Sequence, residues 1–412
     1  MPAGLMERVT PTHVPATPDL ARMRRDRITK VRSAMADQGL DALVLIGNTN
    51  VVYATGATWP LGDPGRANFE QPVAVVLADD EWPHLFTPLP LGADRADEAG
   101  LPDDHVHGPV YLDLDEGVQH FERRLVELVP AGAVIGVDEW TFAMARHSSL
   151  LFPDGRSPRD GGKVISRSKL LKTPDELAGL REALRITESA IAEVQARLAP
   201  GMRQVELTAT FLGAVFDAGA DANTLDPIWQ VMPPTMGDGP WTTHGDLACP
   251  LLTTGRELQR GDVLWVDTSI THRGFHSDFG RTWIVGDEPT ARQRAQFDRW
   301  QAVMSAVLDV TRAGATHAEL TAAARAVVGG ETPWMTHFYL GHGLGIDAAE
   351  MPFVGSDLGE QFDTSHTLES GMVLVLEPLI WDDGAAGYRA EEVVLITDDG
   401  WEPMTDYPYD PF

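Results

Sequence analysis

The chain has 412 residues and a formal net charge of −29 at pH 7, because 61 Asp and Glu residues outnumber 32 Lys and Arg residues. This acidic excess disfavours nucleic acids and anionic membranes as partners, while a hydrophobic content of 43% permits large buried cores. The length predicts two or three domains. The single cysteine, Cys249, leaves no intramolecular disulfide and predicts a cytoplasmic protein.

Residues 1–165 are predicted to form an α/β domain that begins without the apolar stretch of a secretory signal peptide. Amphipathic helices are predicted at Asp19–Gln38 and Gln119–Leu128, where apolar residues recur on one face. Strands are predicted at Leu40–Ile46, Val73–Leu77, His84–Thr87 and Ala133–Val137. Helices that alternate with strands in this way are typical of a sheet covered by helices. No apolar run reaches the ~20 residues that a membrane span needs.

Residues 168–412 are predicted to form a second domain. The segment Thr173-Pro174-Asp175-Glu176 is a capping box with proline at the first helical position, so it predicts the start of a long helix. Further helices are predicted at 205–216, 291–313 and 317–328. Strands are predicted between these helices, so the domain is expected to be α+β, with a curved antiparallel sheet backed by helices.

A predicted β-hairpin in this domain sets two aspartates opposite each other. With residues 271–274 as its turn, Ile270 pairs with Phe275, and the same register places Asp267 opposite Asp278. Like charges that face each other across an antiparallel pair are destabilising. The pattern therefore predicts a compensating cation, and a metal ion is the obvious candidate.

A second predicted hairpin repeats the arrangement with glutamates. Its loop pairs Trp381 with Gly387, which places Glu377 opposite Glu391. Between the two hairpins, His342 stands among glycines that allow the backbone to approach closely. Four carboxylates and one imidazole suit a pair of divalent ions such as Mn, Fe, Co or Zn. Two such ions bridged by carboxylates form a two-metal hydrolytic site.

The motifs around these residues resemble those of a known family. They are similar to the ligand motifs of the pita-bread metallopeptidases. The matching positions are Asp267, Asp278, His342 in Gly-His-Gly-Leu-Gly, Glu377 in Leu-Glu-Pro and Glu391 in Arg-Ala-Glu-Glu. These include methionine aminopeptidase, aminopeptidase P, prolidase and creatinase. The segment 39–56 resembles the opening of the creatinase-type N-terminal domain. The resemblance implies an α/β creatinase-type N-terminal domain, a C-terminal α+β pita-bread domain and a homodimer.

The resemblance also implies how the site works. Asp267 would hold the first ion, Asp278 and Glu391 would bridge both ions, and His342 and Glu377 would complete the second ion. A hydroxide held between the two ions would be the nucleophile of a hydrolase similar to Xaa-Pro dipeptidases and aminopeptidases, acting on a short peptide or another small molecule.

Two of these residues and one neighbour are also candidate catalytic residues. His342 and Glu377 belong to the ligand set, and Glu377 would also accept the proton of the nucleophile. Arg389 shares a strand face with Glu391 and would support the ligands from behind. The alternative for Arg389 is a surface salt bridge.

Two positions depart from the peptidase pattern. The histidine that precedes the first aspartate in the peptidases has no counterpart at its usual place, although His244 and Cys249 lie near it. Ala349 stands where the peptidases carry a second histidine after the metal-binding one. Such side chains bind the peptide carbonyl and stabilise the tetrahedral intermediate.

These departures leave two alternatives open. One is a non-peptidase metalloenzyme of the same fold, a lyase or amidohydrolase similar to dimethylsulfoniopropionate lyases or ectoine hydrolases. Its substrate would be a small zwitterion, which tryptophans such as Trp265 and Trp381 could bind by cation–π attraction. The other is a binding module that has kept the fold and lost the chemistry.

Overall fold

A computed structural model of the chain describes residues 17–57, 72–87, 100–232, 255–382 and 384–409. The chain forms two compact units, one of residues 17–175 and one of the described residues from Glu176 onward. His244 and Cys249, which the sequence analysis placed near the missing upstream histidine, lie outside the described residues. Among the helices in the described ranges, none is long and apolar enough to cross a membrane.

The N-terminal unit is built on a six-stranded sheet with the order β4-β3-β2-β1-β5-β6. The strands β1 to β6 are Ala42–Leu45, Val73–Leu77, His84–Phe86, Val106–His107, Val134–Val137 and Ser157–Asp160. The helices α1 to α6 are Leu20–Asp37, Asn48–Thr55, Asp115–Leu128, Phe142–Arg146, Ser148–Leu151 and Gly162–Leu170, and a 3₁₀ turn spans Asp103–His105. Helix α3 buries Val118, Phe121 and Leu125 in a core shared with Phe86 and Ile135 of the sheet.

The predicted elements of this unit are confirmed with small shifts at their ends. Helix α1 begins one residue after the predicted start because the Asp19 side chain accepts a hydrogen bond from the Arg22 backbone N–H and so acts as the N-cap. Helix α3 begins at Asp115, earlier than predicted, since Asp115 and Glu116 carry the negative charge that a helix N-terminus favours.

The C-terminal unit combines antiparallel sheets with helices. One sheet has the strand order β10-β8-β7 with β9 on β8, a second has the order β12-β11-β13-β16-β17, and β14 pairs with β15. The strands β7 to β17 are Ala222–Val231, Val263–His272, Phe275–His276, Phe279–Ile284, Gly341–Gly343, Glu350–Val354, Val373–Leu376, Leu379–Trp381, Gly387–Arg389, Glu392–Ile396 and Trp401–Pro403. The helices α7 to α11 are Pro174–Arg197, Gln204–Asp217, Ala291–Val310, His317–Val327 and Glu360–Ser365.

The turn of the first acid hairpin is shorter than predicted. His272 pairs with Phe275, so Arg273 and Gly274 form a two-residue turn, and the predicted pairing of Ile270 with Phe275 was wrong. Both turn residues have positive φ, 52° and 78°, as a type I′ hairpin turn requires. This turn was not predicted from the sequence because arginine rarely adopts the left-handed conformation.

The shorter turn moves the whole hairpin by two residues. Asp267 pairs with Gly280 rather than with Asp278, which corrects the predicted register. Side chains alternate between the faces of a sheet with a period of two. A shift of two therefore leaves both aspartates on the same face, as diagonal rather than direct neighbours.

The second acid hairpin has the predicted register. Trp381 pairs with Gly387 at its end, and Leu376 pairs with Glu392 further along. Both ladders follow one continuous register, which passes through Glu377 and Glu391 as opposing positions. The two glutamates therefore lie where one ladder ends and the next begins.

Candidate metal centre

The five predicted ligands and Arg389 meet at one place in the C-terminal unit. Strands β8, β11 and β15 supply Asp267, His342 and Arg389, and the residues that join neighbouring strands supply the others. The six side chains are Asp267, Asp278, His342, Glu377, Arg389 and Glu391. Asp278 is 12% exposed through its side chain, and the other five residues are buried.

Three carboxyl groups form the centre of this cluster. One oxygen each of Asp267, Asp278 and Glu391 lies within 4.8 Å of the others. Gly280 makes this approach possible because it lies opposite Asp267 and has no side chain. A Cβ atom at Gly280 would lie 2.6 Å from Cδ of Glu391. The Glu391 carboxylate thus occupies the space that a side chain at position 280 would fill.

A buried serine holds the backbone beside Asp278. The Oγ atom of Ser277 accepts hydrogen bonds from the Ile270 N–H at 3.0 Å and from the Thr187 hydroxyl at 2.8 Å. The hydroxyl of Ser269 donates to the Ser277 carbonyl oxygen at 2.7 Å. Sequence reasoning missed Ser277 and Thr187. Thr187 is far from the motif in sequence, and a serine beside an aspartate carries no distinctive signal.

His342 is oriented with one ring nitrogen toward the carboxylates. Its Nδ1 is 2.9 Å from the carbonyl oxygen of Gly343, to which it can donate. Its Nε2 lies 3.1 Å from Oδ2 of Asp278 and 3.7 Å from Oε1 of Glu377. A Cβ atom at Gly343 would lie 2.6 Å from the carbonyl carbon of Met351, which explains the glycine after the histidine. A histidine held through Nδ1 in this way presents Nε2 to a metal ion.

Arg389 contacts three of the four carboxyl groups. Its Nη1 lies 3.1 Å from Oδ2 of Asp267, and its Nη2 lies 2.8 Å from Oε1 of Glu391 and also contacts Oε2 of Glu377. The guanidinium stacks on the ring of Trp265 at 4.7 Å. Arg389 is buried, so the alternative of a surface salt bridge was wrong.

The cluster contains more acidic than basic side chains, and burial shifts the pKa values of several of them. Burial raises the pKa of Asp267 to about 7, although Arg389 opposes the shift. Burial also raises the pKa of Glu377, and it raises the pKa of Glu391 well above its usual range. Burial alone would lower the pKa of His342, but its hydrogen bond to Asp278 and the nearby carboxylates raise that pKa to about 9. Four carboxyl groups thus share two cationic side chains in a buried space.

This donor set fits divalent metal ions. Oε2 of Glu391 is buried and has no hydrogen-bond partner within the described ranges. A buried carboxylate oxygen without a partner is costly, and metal coordination removes that cost. Carboxylate oxygens together with one imidazole nitrogen suit Mn, Fe, Co or Zn.

Tyr339 also lies at the centre, and sequence reasoning missed it. Its ring centroid is 4.9 Å from that of His342 and 5.6 Å from that of Phe353. Burial and the surrounding carboxylates raise the pKa of its hydroxyl. Its position just before the glycine-flanked histidine was the available signal. By contrast, Ala349, at the place of the peptidases' second histidine, is exposed.

Replacing Gly280 with alanine should damage the centre without changing any ligand. The added methyl group would collide with the Glu391 carboxylate, so we expect destabilisation by ~1–3 kcal/mol and weaker metal binding. The matched control is Gly213→Ala in helix α8, where an added Cβ atom meets nothing within 4 Å. That change should stabilise the helix by ~0.5–1 kcal/mol. Denaturant unfolding and metal titration measure both effects, and unchanged metal affinity in Gly280→Ala would contradict the assignment of this space to Glu391.

Comparison with known proteins places this geometry in a family. A model of metallopeptidase family M24 matches residues 178–398, and a model of the creatinase/prolidase N-terminal domain matches residues 27–166. The chain is 27% identical over 403 residues to an Xaa-Pro dipeptidase of Lactobacillus delbrueckii, covering 92% of this chain and 96% of the relative. It is 28% identical over 397 residues to the probable dipeptidase PepE of Mycobacterium tuberculosis, covering 93% of this chain and 95% of the relative.

Solved structures share the fold. The prolidase of Pyrococcus horikoshii superposes with a TM-score of 0.72 at 22% identity, over 94% of this chain and all of the other. The X-Pro aminopeptidase of Thermotoga maritima superposes with a TM-score of 0.74 at 20% identity, over 93% of this chain and 99% of the other. The predicted fold, a creatinase-type N-terminal domain followed by a pita-bread domain, is confirmed. Since the match at 178–398 spans more than half of the 412 residues, the chain is a metallohydrolase that belongs to metallopeptidase family M24.

Proposed function

We propose that the chain is a dinuclear metal-dependent peptidase that hydrolyses the Xaa-Pro bond of short peptides. The convergence of four carboxyl groups and His342 in one buried cluster carries the proposal. The names of relatives such as the Xaa-Pro dipeptidase of L. delbrueckii support the choice of substrate. Bound Mn, Co, Fe or Zn, a homodimer and a cytoplasmic location remain predictions.

The ligands divide between two ions in this proposal. Asp267 would hold one ion, His342 and Glu377 would hold the other, and Asp278 and Glu391 would contribute to both. The mutual approach of Asp267, Asp278 and Glu391 within 4.8 Å supports this sharing. When bound, two divalent ions lower the pKa of a water toward neutrality and polarise the peptide carbonyl.

Glu377 is suited to move the proton of the reaction. Its carboxyl group belongs to the buried ligand cluster, with Oε1 3.7 Å from Nε2 of His342, so it would lie beside the water that attacks the substrate, as a general base must. Glu377 accepts the proton of the attacking water on a carboxylate oxygen and passes it to the proline nitrogen. That nitrogen is a tertiary amide in the substrate and leaves as a neutral secondary amine only after it gains a proton.

Arg389 is a positioning residue in this proposal. Through its two Nη atoms it contacts Asp267, Glu391 and Glu377, and it reduces the repulsion between them. Trp265 fixes the guanidinium plane from the other side. The arginine therefore holds the ligand carboxylates in place.

The decisive experiment measures turnover of an Xaa-Pro dipeptide panel by metal-loaded wild type and by Ala349→His. We expect weak wild-type cleavage, because the histidine that would bind the tetrahedral intermediate is missing. Restoring one such donor should raise kcat, by up to ~10²–10³-fold. Ala348→His is the matched control, because it adds the same ring at the neighbouring position. If neither the metal-loaded wild type nor Ala349→His cleaves any Xaa-Pro peptide, the peptidase proposal is wrong and a non-peptidase reaction takes its place.

A further inference from the structure

The N-terminal unit contains a cluster of histidines and aspartates that the proposed reaction does not use. Asp80 lies in the turn after β2, and His84 begins β3. His105 ends the 3₁₀ turn, and His107 ends β4, which runs parallel to β3. The cluster therefore joins two neighbouring strands at one side of the six-stranded sheet.

Three of these side chains direct donor atoms to a common point. Nε2 of His105 lies 3.2 Å from Oδ2 of Asp80, and Nε2 of His84 lies 3.5 Å from the same oxygen. The two imidazole rings stack with centroids 4.4 Å apart and planes inclined by 9°, so both rings face Asp80 side by side. One donor atom from each of the three residues lies within 4.8 Å of the others.

The opposite ring nitrogens are held by other polar groups. Nδ1 of His105 lies 2.8 Å from Oδ1 of Asp104, and Nδ1 of His84 lies 3.0 Å from Nε2 of His107. Histidines that bind metals commonly have their second nitrogen fixed in this way, which sets the tautomer and aims the free lone pair. With Nε2 as the ligand atom, His84 keeps its proton on Nδ1 and donates it to His107.

The proton arrangement around His107 can accommodate this tautomer. Nδ1 of His107 then carries its own proton and gives up the 3.3 Å contact with Nη2 of Arg124. Arg124 retains its ion pair with Glu127.

We propose that Asp80, His84 and His105 bind one divalent ion of borderline hardness, such as Zn²⁺ or Co²⁺, in addition to the metal centre of the C-terminal unit. Two imidazole nitrogens and one carboxylate oxygen are a typical zinc donor set, with water in the fourth position. The Asp80 side chain is 28% exposed and that of His105 is 13% exposed, so an ion and its water can enter from solvent. The ion would fasten the turn that contains Asp80 to the segment that contains His105.

The test uses the full chain and Zn²⁺ alone as the probe. We expect wild type to bind one equivalent of Zn²⁺ more than His105→Gln. His120→Gln removes an exposed histidine of helix α3 and should bind as many equivalents as wild type. Zinc should also raise the melting temperature of the N-terminal unit in wild type by more than in His105→Gln.

A second arm separates this site from the C-terminal centre. In the chain that carries Asp278→Ala, the zinc that remains should show two imidazole ligands by X-ray absorption. Asp104→Asn should lower the affinity of this site for zinc by ~10–100-fold. The side chain of Asp104 is 84% exposed, so folding should be unaffected. Equal zinc content and affinity in wild type, His105→Gln and Asp104→Asn would overturn the proposal, whatever the peptidase assays show.

Discussion

Replacing Glu391 with glutamine is expected to remove bound metal and reduce turnover to background, and Asp278→Ala should do the same. Glu391 and Asp278 are the two residues proposed to contribute to both ions, so each change affects both proposed ions at once. The loss should far exceed the ~10–100-fold loss that typically follows removal of a residue that hydrogen-bonds to a metal ligand. Elemental analysis after reconstitution with Mn²⁺, together with turnover of the best Xaa-Pro substrate, measures the two effects.

The adjacent residue supplies a matched control. Glu392 is also buried, but its carboxylate accepts a hydrogen bond from the Thr405 hydroxyl, and alternation along the strand places it on the opposite face from Glu391. Burial raises its pKa to about 7, so glutamine resembles its protonated form. Glu392→Gln should therefore keep its metal and its activity. Metal loss in both variants, or in neither, would contradict the assignment of Glu391 alone to the centre.

Without metal, the protein should lose stability as the pH rises. Asp267 has a pKa of about 7 in the folded protein and ~3.9 when unfolded. Between these values the folded state binds more protons than the unfolded state, so the free energy of unfolding falls with increasing pH. His342 acts in the same direction, because its pKa of about 9 exceeds the unfolded value of ~6.5. Its stabilising charge is lost as the pH passes through 9.

Metal should reverse this dependence. The ligands must be deprotonated to coordinate ions, so binding strengthens as the pH rises and stabilises the folded state by mass action. We expect the increase in melting temperature on adding Mn²⁺ to grow from pH 5 to pH 9, values chosen to span the two titrations. Melting curves of chelated and reconstituted protein measure it, and the Glu392→Gln variant removes the contribution of that residue. A chelated protein with equal or greater stability at pH 9 than at pH 5 would refute the electrostatic account.

The convergence of the candidate ligands was predictable from sequence because motif and alternation determine which face of a strand each carboxylate occupies. The register of the first hairpin was not predictable, since nothing in the residue type of Arg273 indicates a positive φ. The predicted grouping of the two aspartates on one face was still correct, because the register differed by two residues. A shift by one would have moved Asp278 to the other face of the sheet.

Contacts between residues distant in sequence also escaped prediction. The histidine cluster of the N-terminal unit comes together only because β4 adds to β3 in parallel, a pairing that no local pattern specifies. Thr187 reaches Ser277 from a helix whose sequence shows only a buried face. The space opposite Asp267 depends on the absence of a side chain at Gly280, and its role becomes visible only when Glu391 is seen to fill it.

The order Arg-Ala-Glu-Glu at residues 389–392 has a consequence for the fidelity of folding. If this strand were misaligned by one residue, Glu392 would replace Glu391, and an acid would still face the metals. Ala390 would then replace Arg389, and the carboxylates would lose the guanidinium that now lies among them. The arginine thus adds to the energy difference between the two alignments, and it does so before any metal binds.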